Sequence, residues 1–310
     1  MFQPTMNQLH WTLPLPAGYR RDDVIAFHGR DTQAVAEQLT PTGLRKGIVL
    51  QGVPVVLDVT FSHDAAICRA DIDGDTTQHM PALLHGALLN ILGLRIDPQP
   101  FMQQVAHDPL MAPLTRINPG LRIVQSASPF EALTWAIIGQ QINLSFAIAL
   151  RRTFILQAGR QHASGLWCYP EAQDVARLSV EDLTSRKFSR AKADTLLRLA
   201  TLVNDGALSL ELGASGDVAP ISQALLAVKG IGPWTVNYAL LRGYGYADCS
   251  LHGDVAIRAA LQKLLGEETK PDMARTEQWL RQYAPQRTMA AAHLWASLHA
   301  PEKNNSQAGE

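Results

Sequence analysis

The sequence predicts an α+β protein: a small antiparallel sheet with covering helices, followed by a mostly helical body. Three observations carry this. The β-branched runs lie before residue 75, in GIVLQGVPVVLDVTF (47–61) and in Ala66–Ile72. After Leu94 the apolar residues recur at helical period and strand signals nearly vanish. Helix-entry signals then repeat, beginning with Asp97-Pro98 and with Ser128-Pro129-Phe130-Glu131. With 46% apolar and 18% charged residues, a chain of 310 residues can bury a sizeable core.

Residues 1–20 are Pro-rich and are expected to lie extended on the surface. Residues 21–40 are mixed, with Val24, Ile25 and Phe27 favouring a helix. Gly52 splits the next apolar run into strand, turn and strand, and Ala66–Ile72 forms a further strand ending at Asp73-Gly74-Asp75. Leu83, Leu84, Ala87, Leu88, Ile91 and Leu92 mark a helix over 81–94. This closes a first domain, 1–95. The second, 96–300, opens with Asp97 as N-cap. Ser128 as N-cap, Pro129 at N1 and Glu131 at N3 start a long helix to about Ala158, interrupted by Gly139-Gln140-Gln141. Helical patterns follow at about 179–185, 190–204, 217–228, 233–244, 254–265, 273–283 and 286–299, and 301–310 reads as a disordered tail. No repeat or low-complexity tract is present.

Composition narrows the chemistry. A net charge of −1 argues against a broadly basic nucleic-acid binder, but backbone N–H groups hold phosphates without lysine. Cys68, Cys168 and Cys249 are far apart and too few for a cysteine-ligated iron–sulfur cluster. Sparse cysteine, no span-length apolar run and an N-terminus without a basic n-region fit a reducing cytosol.

The most informative stretch is LLAVKGIGPWTVNYALLRGYGYADCSLHGDVAI, 225–257. Gly230-Ile231-Gly232 joins two helical runs. Glycine admits positive φ and close backbone approach, and the turn exposes N–H groups suited to a phosphate. An ordinary helix–helix connection explains the turn equally well. Asp254 follows at the start of another helix. It reads as an N-cap, and an acid at a helix mouth also suits a reaction with a cationic, sugar-like transition state.

Four pieces together, LLAVKGIGPWTVNYALLRG, LHGDVAIR, FEALTWAIIGQQINLSFA and PGLRI, resemble the helix-hairpin-helix, Gly/Pro-rich, Asp superfamily of DNA base-excision glycosylases. The likeness covers about 95–300 and is greatest to the DNA-3-methyladenine glycosylase II branch, which also carries an α+β domain in front. It implies that Asp254 is the catalytic acid and that Trp234, Tyr238 and Trp295 line the base pocket. It further implies that Gln141 fills the gap left by an extruded nucleotide, and that Gly230, Ile231 and Gly232 bind DNA phosphate. The carbonyls of Leu226, Val228 and Ile231 would hold a structural Na+ or K+. The chemistry itself would need no cofactor, and no iron–sulfur cluster is expected. Trp234 stands where strand-cutting relatives keep a lysine, so the resemblance implies base hydrolysis by water without a lyase step.

The expected partner is double-stranded DNA containing alkylated bases, met by a monomeric, cytoplasmic, nucleoid-associated bacterial enzyme that starts base excision repair. Extrusion and stacking on aromatic faces suit cationic alkylated purines. The competing readings are a glycosylase for oxidised or mismatched bases, a non-catalytic hairpin DNA-binding module, and a metabolic enzyme whose hairpin holds a small phosphate ligand. His252-Gly253 departs from the proline and acid of the best-known branch. Lys187, Arg190 and Lys192, Arg151-Arg152 and Arg242 suit either phosphate contact or solvent. Cys249 reads as buried filler, and His28-Gly-Arg-Asp31 carries no expected chemistry.

Overall fold

The run GIVLQGVPVV folds back on itself at Gln51-Gly52, where both residues have positive φ, 52° and 78°. Leu50 pairs with Val53 across them, the geometry of a two-residue hairpin matched to strand twist. The computed structural model containing this hairpin describes residues 7–213 and 216–298. The expected tail at 301–310 lies outside the described residues. Two compact units result, one built from 1–96 and 122–246, the other from 97–121 and 247–310.

The first unit begins with β1 (Asn7–Pro14), α1 (Arg21–His28), β2 (Glu37–Thr40), β3 (Gly43–Leu50), β4 (Val53–Phe61), β5 (Ala65–Ile72) and α2 (Met80–Ile91). The five strands form an antiparallel sheet in the order β1-β5-β4-β3-β2. The surface extension expected within 1–20 is regular over Asn7–Pro14. Asn7–Pro14 pairs residue by residue with β5 as an edge strand, and its proline stands at the last position, where a missing N–H costs no ladder bond. Leu44, Val55, Leu57, Val59, Cys68 and Ile72 from the sheet meet Leu84, Leu88 and Ile91 of α2 and Val24 of α1. Each such fully buried aliphatic side chain contributes about 1.5–3 kcal/mol.

After α2 the chain enters the second unit with α3 (Gln99–Gln104) and α4 (Met111–Ile117). Asp97 caps one residue further out than a simple N-cap reading gives, since Pro98 holds that place and the Asp97 carboxylate accepts from the Gln99 N–H at 3.1 Å. The first unit resumes with α5 (Pro129–Gly139), α6 (Leu144–Ala158), the short pair β6 (Arg160–Gln161) and β7 (Trp167–Cys168), α7 (Ala172–Val175), α8 (Val180–Thr184), α9 (Arg190–Asn204), α10 (Ala219–Leu226), α11 (Pro233–Ala239) and a π-helical turn, Leu240–Tyr244. Tyr169 exchanges main-chain bonds with β3 at 2.8 and 3.0 Å, so the helical part is stitched to the sheet within this unit. The second unit ends with α12 (Val255–Leu265), α13 (Met273–Arg281) and α14 (Arg287–Ser297), around Phe101, Met111, Leu261, Leu280 and Leu294. None of the described helices is long and apolar enough to cross a membrane.

A buried charge quartet ties β2, β3, α5 and α6 together. Lys46, only 1% exposed, donates to Glu37 at 2.6 Å and to Glu131 at 2.7 Å. Arg151 reaches the same two carboxylates at 2.8 Å. Two cations match two anions, as burial demands. Burial alone would raise the Glu37 carboxyl, but Arg151 and Lys46 beside it hold it well below the usual carboxylate range. Glu131 therefore does more than the expected N3 work of a helix start. Ser128 does cap the helix, accepting from the Glu131 N–H at 3.2 Å.

Candidate active site

In the first unit the site is built on the turn between α10 and α11. Gly230 has φ 99°, and a Cβ there would lie 2.1 Å from Thr195 Oγ1 on α9. Both the left-handed backbone and the contact with α9 require glycine. Gly232, at φ −106°, is the N-cap of α11 and has open space where a Cβ would stand. Of the three residues expected to hold phosphate, Ile231 is buried and turns its N–H inward to the Val228 carbonyl at 3.0 Å. The N–H groups of Gly230 and Gly232 have no main-chain partner among the described residues. Arg198 donates to the Lys229 carbonyl at 3.1 Å. Gln140 donates to the Gly230 carbonyl at 3.2 Å and to Thr235 Oγ1 at 3.1 Å.

Trp234 and Tyr238 lie one turn apart on α11, with ring centroids 5.3 Å apart at 32°. Both are half-buried. The Tyr238 oxygen accepts from Trp135 Nε1 at 2.8 Å, and Trp135 sits on the buried face of α5. The two glutamines of the break have opposite fates. Gln140 faces the hairpin, whereas Gln141 adopts φ 56° and is exposed. The side chain expected to plug a vacated base position is thus solvent-facing, on a bend between α5 and α6.

In the second unit Asp254 is the N-cap of α12. One carboxylate oxygen, Oδ1, accepts from the N–H groups of Ala256 at 2.9 Å and Ile257 at 3.0 Å. The same oxygen accepts from Trp295 Nε1 at 3.1 Å. The acid and the expected third aromatic are therefore hydrogen-bonded neighbours, and three donors on one oxygen fix the carboxylate's plane. The Asp254 N–H donates back to the Leu251 carbonyl at 3.0 Å, closing the HGD segment into a tight turn. His252 Nδ1 contacts Ser250 Oγ at 2.9 Å within that turn. Cys249 is buried filler, as expected; burial pushes its thiol up to about 12.

Known proteins share parts of this sequence and its fold. The sequence model of the HhH-GPD superfamily, base excision DNA repair proteins, matches residues 134–286. A DNA-3-methyladenine glycosylase of Bacillus subtilis is 30% identical over 206 residues, 66% of this chain and 68% of that protein. The chain belongs to the HhH-GPD superfamily of base excision DNA repair proteins. A probable bifunctional transcriptional activator/DNA repair enzyme AlkA of Mycobacterium tuberculosis is 26% identical over 294 residues, 93% of this chain but 57% of that longer protein. The structure of 3-methyladenine DNA-glycosylase from Archaeoglobus fulgidus shares the fold, with a TM-score of 0.77 at 21% identity, over 92% of this chain and 97% of that one.

Against the HhH-GPD frame, several residues acquire roles that the sequence did not reveal. Trp135 is one; its signal was an indole in an otherwise aliphatic helix face, whose N–H needs an acceptor once buried. Gln140 is another, a brace for the hairpin. Arg30, in the dismissed HGRD segment, lies 4.0 Å from the Phe27 ring centroid and 5.2 Å from that of Trp135. Most of the ambiguous cations prove to be internal. Arg151 belongs to the buried quartet, Arg152 pairs with Asp31 at 2.6 Å, and Arg242 donates to the Val124 carbonyl. Lys192 donates to the Ile138 carbonyl at 2.7 Å, at the C-terminal end of α5, where the helix dipole favours a cation. Lys187 and Arg190 remain exposed.

Proposed function

We propose that the protein is a monofunctional DNA glycosylase that extrudes alkylated bases from duplex DNA and hydrolyses their N-glycosidic bond. The observation that carries the reading is the Asp254 carboxylate, fixed through one oxygen by two backbone N–H groups and the Trp295 indole. The 3-methyladenine glycosylase names of the relatives support the substrate class. In this reading the extruded base stacks on Trp234 and Tyr238, with Trp295 as a third aromatic, and aromatic faces attract electron-poor rings. A positively charged alkylated base is already a good leaving group, so no strong general acid is required. As the bond lengthens, positive charge grows on the sugar, and Asp254 stabilises it and orients the attacking water.

Three further roles belong to this proposal. Gln141 fills the position vacated by the base. Trp234, an indole in place of an amine, leaves no Schiff-base route, so the strand stays uncut. The hairpin would hold Na+ or K+ through the carbonyls of Leu226, Val228 and Ile231, hard oxygen donors that suit such ions. The carbonyls between them, Lys229 and Gly230, are engaged by Arg198 and Gln140. A cation bound there would supply positive charge next to a DNA phosphate. The test is incubation with methylated duplex DNA and chromatography of released bases. Wild type is expected to release 3-methyladenine and 7-methylguanine, leaving abasic sites that break only on alkali treatment. Full release by Asp254→Asn would remove Asp254 from the mechanism; breakage without alkali would refute the monofunctional reading.

A further inference from the structure

The Tyr238 oxygen is surrounded by groups that can only donate. Trp135 gives it an indole N–H at 2.8 Å. The guanidiniums of Arg30 and Arg242 are charged neighbours that interact electrostatically with Tyr238. All three side chains are held in place. Arg30 Nε donates to the Phe27 carbonyl at 2.8 Å. The Arg30 and Arg242 guanidiniums sit 4.0 and 4.9 Å from the Phe27 ring centroid, and Trp135 is buried. Burial lowers both guanidiniums from their usual value, yet arginine stays charged at neutral pH.

Indole and guanidinium carry no acceptor lone pair, whereas a phenol has two lone pairs and one proton. Trp135 therefore takes one lone pair of the Tyr238 oxygen, and neither it nor the two guanidiniums can accept the phenol's own proton. Tyr238 is half-buried, with the Trp234 ring 5.3 Å from its own. A ligand stacked on Trp234 with its edge turned to the Tyr238 hydroxyl is the natural recipient of that proton.

We propose that Tyr238 donates a hydrogen bond to a carbonyl oxygen of the extruded base, and that Trp135 is the positioning residue that holds it in this orientation. The proposal rests on the glycosylase reading and refines its substrate class. Oxo bases such as 7-methylguanine and hypoxanthine present an acceptor at the six position. 3-Methyladenine presents an amino donor there, which would oppose the phenol's proton. Arg30, from the loop after α1, packs its guanidinium against the Trp135 ring at 5.2 Å, so the N-terminal segment helps to hold the positioning residue. A site that hydrogen-bonds a substrate group discriminates against analogues lacking it more sharply than one that only packs against it.

The experiment compares kcat/KM for release of 7-methylguanine, hypoxanthine and 3-methyladenine by wild type, Tyr238→Phe and Trp135→Phe. Tyr238→Phe keeps the ring and removes the hydroxyl, both the proton it would donate and the oxygen that accepts from Trp135. It should lower the ratio of six-oxo to six-amino release about 5- to 10-fold, the worth of one hydrogen bond. Trp135→Phe keeps an aromatic in the core and removes the N–H, and should shift the ratio in the same direction by about 2- to 5-fold. A purely structural loss would depress all three bases equally and leave the ratio unmoved. An unchanged ratio in Tyr238→Phe overturns the proposal. An unchanged ratio in Trp135→Phe alone overturns the positioning role. If wild type releases none of the three bases, the glycosylase reading itself falls and takes the proposal with it.

Discussion

One substitution series separates the structural task of Asp254 from the catalytic task proposed for it. Asp254 caps α12 through two backbone N–H bonds and anchors the Trp295 indole, all at Oδ1. It also supplies the charge assigned to the reaction. Asp254→Asn keeps an oxygen for all three donors, and Asn and Asp are equivalent N-caps. Its stability should fall by less than about 0.5 kcal/mol. The lost interaction is electrostatic. A carboxylate about 4 Å from a developing positive charge, at an effective dielectric of about 20, is worth about 4 kcal/mol. That corresponds to a rate loss of roughly a thousandfold. Asp254→Ala should lose the same rate factor but also about 1 kcal/mol of capping, and it leaves the Trp295 N–H without this acceptor at a further cost of about 1 kcal/mol. Single-turnover base release from methylated DNA, paired with urea unfolding, measures both quantities. The two variants should be equally slow and differ in stability by about 2 kcal/mol. An Asn variant within tenfold of wild type would refute the electrostatic role. An Asn variant as unstable as Ala would mean that the rate loss is structural.

Lys46→Met leaves two buried carboxylates sharing one cation and should cost about 3–5 kcal/mol at pH 7 by urea unfolding. Its pH dependence should invert: in wild type the low Glu37 value gives stability that is full above the ordinary 4.5 and lost in stronger acid. In the variant burial dominates, one carboxyl titrates upward, and stability should rise as pH falls from 7 to 5; a wild-type slope would contradict the assignment. Gly230→Ala combines a left-handed backbone with a Cβ 2.1 Å from Thr195 Oγ1 and should destabilise by more than about 2 kcal/mol, whereas Gly232→Ala should cost under about 0.5 kcal/mol; equal thermal midpoints would refute the contrast. Gln140→Ala removes two hairpin bonds and should cost about 1–2 kcal/mol, while Gln141→Ala should leave stability within about 0.5 kcal/mol and weaken binding to abasic duplex DNA; a reversed pattern in melting and gel-shift assays would exchange their roles.

Periodicity carried most of the element reading because it reports which face of a segment is buried. The hairpin at Gln51-Gly52, the Ser128 cap and the break at Gly139 follow from local chemistry, and the structure has them. The π-helical turn at Leu240–Tyr244 and the strand at Asn7–Pro14 do not follow from it. The first repeats the helical pattern of its neighbours. The second is an edge strand whose Pro-rich flanks hide an alternation that matters only once β5 offers it a partner.

The partner of a polar side chain is a tertiary property, and here the sequence was least legible. Arg151, Arg152 and Arg242 look alike in the chain, yet each meets a different buried acceptor. Gln140 and Gln141 are adjacent and identical, and a φ near +56° at the second sends them to opposite sides. Arg30 sits in a segment with no motif at all. It matters because its guanidinium packs on Phe27 and on Trp135, the residue that donates to Tyr238. The residues to which the proposal gives chemistry belong to short stretches with strong local constraints, a glycine turn and a helix cap. Those to which it gives a tuning role come from distant stretches with none. Substitutions that alter lesion preference without abolishing activity should therefore concentrate at Trp135 and at Arg30, which packs on it, where a change alters the surroundings of the Tyr238 oxygen and leaves Asp254 untouched.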